Sequence, residues 1–470
     1  MVFTSPIFLL FLALVLAGHW ALAGLRSRKL FLLGASYVFY GWWDWRFLGL
    51  LWLSTAVDYT AGLGMARAGT PRGRRAWLAG SLAINLGVLL TFKYWDFFAV
   101  QAAHALGSLG AHVTPATLGL VLPIGLSFYT FQSMSYTLDV YWRRHPPCTD
   151  APDFALFVAF FPQLVAGPIV RAAELLPQLA APRRWASVDL RGALQLLLAG
   201  FIKKACIADH FAVWADAYWK APETFGAGAA WIAWFAYAVQ FYCDFSGYSD
   251  MALGSAALLG YRLPVNFAHP YFSASVTEFW SRWHISLSTW FRDYVLVPLS
   301  RAGRGTTARI YAKVLATMLL VGLWHGAAWH FVLWGGTLGV LLLLHREWRL
   351  RSARWPAAAA VASALGIPLT FACVTSAAVF FRAQGAGQAG LHFATLLGLH
   401  RGEARLVAPE IFWPLLALLA LAHLIAWRGW LRPALDALPA PAFAFGFGVV
   451  AALVPPFMAA ETMPFLYFRF

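Results

Sequence analysis

The sequence predicts an all-α, polytopic integral membrane protein with about ten to thirteen membrane-embedded segments, and three observations carry that class. Charged residues are 12% of 470, roughly half the ~25% of a water-soluble domain. Hydrophobic residues reach 61%, with 24 Trp, 16 Tyr and 38 Phe, a load suited to lipid-facing walls with interfacial rings. Apolar stretches of the ~20 residues a bilayer demands recur at about 1–24, 30–66, 76–100, 116–141, 152–170, 190–215, 228–260, 311–345, 357–381, 409–427 and 441–460. A water-soluble enzyme, a disordered chain and a secreted disulfide scaffold are thereby excluded. One integral domain over 1–470 is expected, with no soluble domain and its chemistry-bearing blocks in 150–345.

Taken in order, Met1 to Ala23 has no Lys or Arg and reads as a first transmembrane helix, so the mature chain is expected to begin at Met1. The clusters Arg26 to Lys29, Arg67 to Arg75 and Arg143 to His145 are assigned to the cytoplasm by the positive-inside bias. That makes 30–66 a hairpin turning near Trp42 to Trp45, and 76–141 a second hairpin turning in the charge-free loop 101–115. Arg346 to Arg354 and Arg428 to Arg432 fall on the same face if 355–427 is a further hairpin, leaving both termini extracytoplasmic in a bacterial inner membrane. The topology of 170–310 stays open. The net charge of +15 is spread in short clusters rather than a continuous basic face, so it reports membrane orientation and not nucleic acid. Cys148, Cys206, Cys243 and Cys373 form no C-x-x-C pair, and neither a zinc site nor a disulfide framework is expected.

Residues 261–310 are too polar to span: Arg262, Asn266, His269, Glu278, Arg282, His284, Arg292, Asp293 and Arg301 lie among nine aromatic residues between Phe267 and Tyr294. A re-entrant or interfacial segment shielded by protein fits such a stretch. His284 is followed 41 residues on by His325, within a run free of charge from Val314 to Leu344. Apolar surroundings favour the neutral imidazole that a general base requires, although a helix-to-helix hydrogen bond would explain a buried His equally well. His330, five residues beyond, shares no helix face with His325 and reads as packing. Asp244, Ser246, Tyr248 and Asp250 sit at the polar end of an apolar run, where lining of an aqueous passage or pairing with a cation would offset their desolvation. No G-x-S-x-G elbow supports a serine nucleophile. Lys203 and Lys204 read as a helix end with snorkelling side chains, or as a holder of nucleotide phosphates.

Two blocks, WHISLSTWFRDY over Trp283 to Tyr294 and LWHGA over Leu323 to Ala327, resemble the signatures of membrane-bound O-acyltransferases of the bacterial polysaccharide-modifying branch. VAGPIVR (165–171), GFIKKACIAD (200–209), YCDFSGYSD (242–250), NFAHPY (266–271) and the terminal PFLYFRF (464–470) agree in the same order. The chain departs from the family pattern at Ser300-Arg301 and at Arg469. The resemblance implies a helical bowl with re-entrant segments around a central tunnel, with His325 and His284 as the catalytic histidines. Asp244, Ser246, Tyr248, Asn266 and Trp324 would line the passage, and Lys203, Lys204 and Arg301 would meet acyl-CoA phosphates. It further implies acetyl-CoA as a donor substrate with no resident cofactor or metal, membrane lipid around the chain, and a periplasmic SGNH-type acetyltransferase or esterase as partner. The acceptor would be alginate, peptidoglycan or another exopolysaccharide. A lipid- or protein-directed acyltransferase of the same superfamily is the alternative; a transporter would show inverted repeats, and none is evident.

Overall fold

The computed structural model describes residues 1–111, 113–301, 306–459 and 463–466, without the side chains of Arg301 and Pro409. Among them the secondary structure is helical apart from one isolated bridge between Phe225 and Ala404. Helix α1 (Pro6–Ala21) precedes a hairpin of α2 (Leu25–Asp44) and α3 (Leu48–Arg67). The turn falls where the tryptophans predict it, and the Asp44 carboxylate closes it by accepting from Arg46 N at 3.0 Å. Pro71 and the Thr70 cap open α4 (Pro71–Leu89), which continues through a π-turn at Leu90–Tyr94 into α5 (Trp95–Ser108). Helix α5 runs eight residues into the expected 101–115 loop, and the return to α6 (Leu126–Tyr141) begins ten residues later than that loop would give.

The ambiguous middle holds α7 (Ala151–Ala159), α8 (Phe161–Leu164), α9 (Ala172–Ala180), α10 (Leu190–Phe201) and α11 (Asp209–Lys220). It ends on the 32-residue α12 (Ala227–Leu258), buried along most of its length against α10 and α11. The polar stretch is then broken into α13 (Val276–Arg282), α14 (Ile285–Phe291) and α15 (Val297–Arg301). A tight hairpin of α16 (Thr307–His325) and α17 (Trp329–Arg351) follows, and then α18 (Pro356–Ala364), α19 (Gly366–Arg382) and α20 (Ala386–Leu396). The chain closes with α21 (Pro409–Trp427), α22 (Leu431–Asp436) and α23 (Ala440–Leu453).

Length and hydropathy alone mark four crossings among the described residues, at 71–108, 307–325, 410–427 and 440–457, and a fifth if α18 and α19, bent by 68°, count as one. This is fewer than the ten to thirteen segments the sequence suggests. The 16 residues of α1 rise only about 24 Å against a ~30 Å hydrocarbon core. Other helices are long enough but polar, and they satisfy their polar groups against protein instead of lipid. Thus Asp58 of α3, fully buried, accepts from Ser81 Oγ at 2.5 Å and Asn85 Nδ2 at 3.0 Å of α4, while Ser54 Oγ donates to Asn85 Oδ1 at 2.8 Å.

Contacts also resolve which ends lie together. Arg28 donates to the Arg183 carbonyl at 2.8 Å, Arg74 to the Val140 and Tyr141 carbonyls at 3.1 and 3.0 Å, and Arg191 to the Asp436 carbonyl at 3.3 Å. The basic loops therefore gather on one face. Tyr40, at the opposite end of α2, donates to the Ile124 carbonyl at 3.0 Å and places the segment before α6 on the far face.

The α16–α17 hairpin is close because a Cβ at Gly335 would run into the Met318 carbonyl, and one at Gly322 into the Phe331 carbonyl. A Gly335→Val variant should lose about 1–3 kcal/mol of stability from this overpacking, seen as a lower thermal midpoint in detergent. Gly336→Ala, which would meet only the Leu319 side chain, should hold its midpoint within a degree or two; equal midpoints for the two variants would refute the close-approach argument.

Candidate functional site

Helix α16 runs from the basic face and delivers His325 as its last residue, where the extended Gly326 stops the helix. A Cβ at Gly326 would strike the Phe331 ring, so this glycine admits the neighbouring helix rather than leaving open room. The imidazole is 4% exposed and boxed by Trp324 and Trp334, each at 4.9 Å between ring centres, and Phe381 at 5.2 Å. His284, fully buried, lies 6.4 Å from His325 between ring centres. The structure thus brings together two histidines 41 residues apart.

His284 takes φ +40°, a left-handed backbone that a non-glycine residue adopts only when its surroundings hold it there. Asn266 does that holding. Its backbone carbonyl accepts from Ile285 N at 3.0 Å, and its Oδ1 accepts from Ser286 N at 3.2 Å and Ser286 Oγ at 2.7 Å. Ser286 Oγ in turn accepts from Ile169 N at 3.0 Å, tying in the VAGPIVR segment. Asn266 is therefore a cap for the helix that follows His284, and does not lie on the cavity wall.

A cavity of about 80 Å³ reaches His325 and is lined by Lys93, Leu122 to Phe128, Val165, Trp324 and His325. Of the five residues assigned to a passage, Trp324 alone lines it. Asp244 is ion-paired to Lys204 at 2.6 Å and accepts from Leu466 N at 2.8 Å. Tyr248 is stacked between Phe3 at 4.4 Å and Phe465 at 4.7 Å, and Ser246 is fully buried on the same helix. All three are packed inside the protein, since α12 is covered on nearly all sides and has few positions left for a cavity.

The two lysines are both paired to carboxylates, Lys203 half-buried and Lys204 in the core. Lys203 pairs with Asp250 at 2.7 Å; Lys204, 3% exposed, pairs with both Asp209 and Asp244 at 2.6 Å and donates to the Met463 carbonyl at 2.9 Å. Lys204 is thus committed to carboxylates within the core and does not reach a surface where a nucleotide would rest. The Arg301 side chain, and residues 467–470 of the terminal block, lie outside the described residues. Among the described residues no three His, Cys, Asp or Glu side chains gather as a metal would require.

Sequence reasoning missed Lys93. Its ammonium donates to the Trp324 carbonyl, to the His325 carbonyl at 3.3 Å and to Ser127 Oγ at 3.3 Å, while Tyr94 donates to the Leu323 carbonyl at 3.0 Å. A helix leaves its last carbonyls without partners and concentrates negative charge there, and a cation is the natural complement. The signal was present: Lys93 is the one charged residue between Arg75 and Asp96, within a run long enough to span, and such residues mark functional or pairing sites.

Fold and site together define a multi-pass membrane protein with two buried histidines side by side, one of which, His325, meets a small cavity on the face opposite its basic loops. The chain belongs to the membrane-bound O-acyltransferase family, whose model matches residues 143–380, and it is an O-acyltransferase. It is 44% identical to the probable alginate O-acetylase of Azotobacter vinelandii, over 75% of this chain and 70% of that protein. Identity to the peptidoglycan O-acetyltransferase of Helicobacter pylori is 32%, over 85% and 80%. A teichoic acid D-alanyltransferase of Streptococcus thermophilus is 28% identical over 49% and 59%.

Proposed function

We propose that this enzyme takes an acetyl group from acetyl-CoA at the basic, cytoplasmic face of the bacterial inner membrane and passes it to the opposite side for O-acetylation of an extracytoplasmic polysaccharide. The observation that carries the reading is the position of His325, at the far end of a helix rooted in the basic face and in the wall of a cavity on the other face. Similarity to proteins named for acetylating alginate and peptidoglycan supports a glycan as final acceptor. An SGNH-type partner fits, since among the described residues no loop between helices is large enough to recognise a polymer. The N-terminal amine reaching the Phe39 carbonyl at 3.4 Å supports an extracytoplasmic N-terminus, since Phe39 lies toward the far end of α2.

In the proposed chemistry His325 accepts the proton of an acceptor hydroxyl as that oxygen attacks the thioester carbonyl. The C–S bond breaks, the acetyl oxygen ester forms, and the imidazolium returns its proton to the departing CoA thiolate. His284 orients the reacting groups beside it. Moving only the acyl group avoids dragging a polyanionic cofactor through hydrocarbon. The test is transfer of label from acetyl-CoA, supplied on one side of proteoliposomes, to an acceptor on the other. Label accumulating only on the donor side would defeat the proposal.

Lys93 fastens the turn that carries His325. Lys93→Met should lower the transfer rate at least about tenfold, the scale of leaving buried carbonyls unsatisfied at ~1–3 kcal/mol, and Lys93→Arg should keep most of it. Equal rates for Met and wild type in the same vesicles would remove Lys93 from the site.

A further inference from the structure

Lys204 is occupied inside the core and Lys203 is paired with Asp250, whereas a second cluster on the basic face has the chemistry to receive the donor's phosphates. Four side chains form one continuous stack: Arg144 lies 4.4 Å over the Trp142 ring, Trp142 stacks on Tyr294 at 5.8 Å and 10°, and Arg171 lies 4.4 Å over Tyr294. Arg171 is the unusual member. Its side chain is only 14% exposed, yet neither terminal nitrogen has a hydrogen-bond partner among the described residues. The nearest carboxylate, Asp293, makes only a long ion pair with it, Oδ2 at 3.8 Å, while its Oδ1 holds Arg292 at 2.7 Å. Asp139, the other carboxylate in the group, is taken by the Tyr294 hydroxyl at 2.7 Å and by Arg144 at 3.5 Å. A largely buried guanidinium with unused, planar donors is costly unless something outside the chain meets it, and its geometry suits phosphate oxygens.

The surroundings agree. Arg143, Arg144, Arg171 and Arg292 outnumber Asp139, Glu174 and Asp293. Arg144 also lines an open recess of about 320 Å³ with Arg74, Arg143 and His145, and Arg143 takes φ +60° as the left-handed residue that closes α6. From Tyr294 a column of rings leads inward. Trp290, Phe131, Trp324 and His325 follow one another in steps of 3.9–5.6 Å between centres, starting 5.2 Å from Tyr294.

We propose that Arg171, with the Arg144–Trp142–Tyr294 stack, is the subsite for a phosphate-bearing group, namely the nucleotide phosphates of the acyl donor. This rests on the donor reading above and assigns it to residues of the 165–171 and 283–294 blocks. The test compares acetyl-CoA with acetyl-pantetheine, which lacks the nucleotide, as donors to the full chain in phosphatidylcholine proteoliposomes. Arg171→Gln should raise KM for acetyl-CoA tenfold or more with a much smaller change in kcat, and Arg171→Lys should recover part of it. For acetyl-pantetheine the Gln variant and wild type should share one KM. An acetyl-CoA KM left unchanged by Arg171→Gln would overturn the subsite, as would an equal loss with both donors, which marks a merely structural residue. A contrast that appears only when anionic lipid is added would reassign the stack to lipid headgroups and equally overturn it. Wild-type chain that transfers nothing from acetyl-CoA would instead fail the parent reading, an outcome visible without any variant.

Discussion

Replacing His325 by alanine should reduce acetyl transfer by about 10²–10⁴-fold, the range a positioned general base contributes, while leaving a folded protein. The rate effect is expected because His325 is the one titratable side chain at the end of α16 that both lines the cavity and lies beside the second histidine. Survival of the fold is expected because the ring is held by contacts with Trp324, Trp334 and Phe381, and these three keep other packing partners, Trp334 on Phe381 at 5.2 Å and Trp324 on Phe128 at 5.3 Å. Initial rates in proteoliposomes, together with the thermal midpoint of the same preparation, provide the check. A variant that unfolds would be replaced by His325→Gln, which fills the volume without a ring able to shuttle a proton. Transfer within threefold of wild type in either folded variant would end the catalytic assignment. His284→Ala should reduce transfer less, because its proposed part is orientation.

The second large effect is on stability. Lys204→Met leaves Asp209 and Asp244, 3% and 2% exposed, facing one another without their shared cation. Removing one partner from a buried ion pair costs about 3–5 kcal/mol, a large part of the ~5–15 kcal/mol by which a typical fold is stable. It also frees the 463–466 segment, which is anchored through the Met463 carbonyl and Leu466 N on the same triad. Yield of monodisperse protein after detergent extraction should fall sharply. Adding Asp209→Asn and Asp244→Asn to Lys204→Met should restore much of it by removing the unpaired charge. A phosphate-binding lysine would behave otherwise: its loss would raise donor KM and spare the yield. Normal yield with raised KM would therefore overturn the structural role assigned to this triad.

Much of the site was legible because its residues are anomalous for where they lie. A histidine in a 31-residue charge-free run stands out, as does the polar stretch around His284, and the block order carried the family with them. The α2–α3 hairpin was legible too, since a tryptophan-rich turn between two apolar runs leaves little choice. Partner choice was not. Lys203, Lys204, Asp244 and Asp250 announce that charges must be neutralised in an apolar helix pair, but they pair with each other between α12 and the turn linking α10 to α11, and sequence separation says nothing about that. Asn266 reads equally well as a tunnel wall or a cap until the Ser286 bonds are seen. Lys93 reaches His325 from 232 residues away.

By itself the sequence determined the solvent this protein lives in and the family it joins, and it singled out the two histidines of the candidate site, because composition, apolar run length and signature blocks are local properties of the chain. The tertiary structure decided which polar groups are spent on each other and which are left facing a cavity or recess. That division depends on distances of a few ångströms between helices remote in sequence, where one neighbouring carboxylate converts a candidate ligand contact into an internal brace.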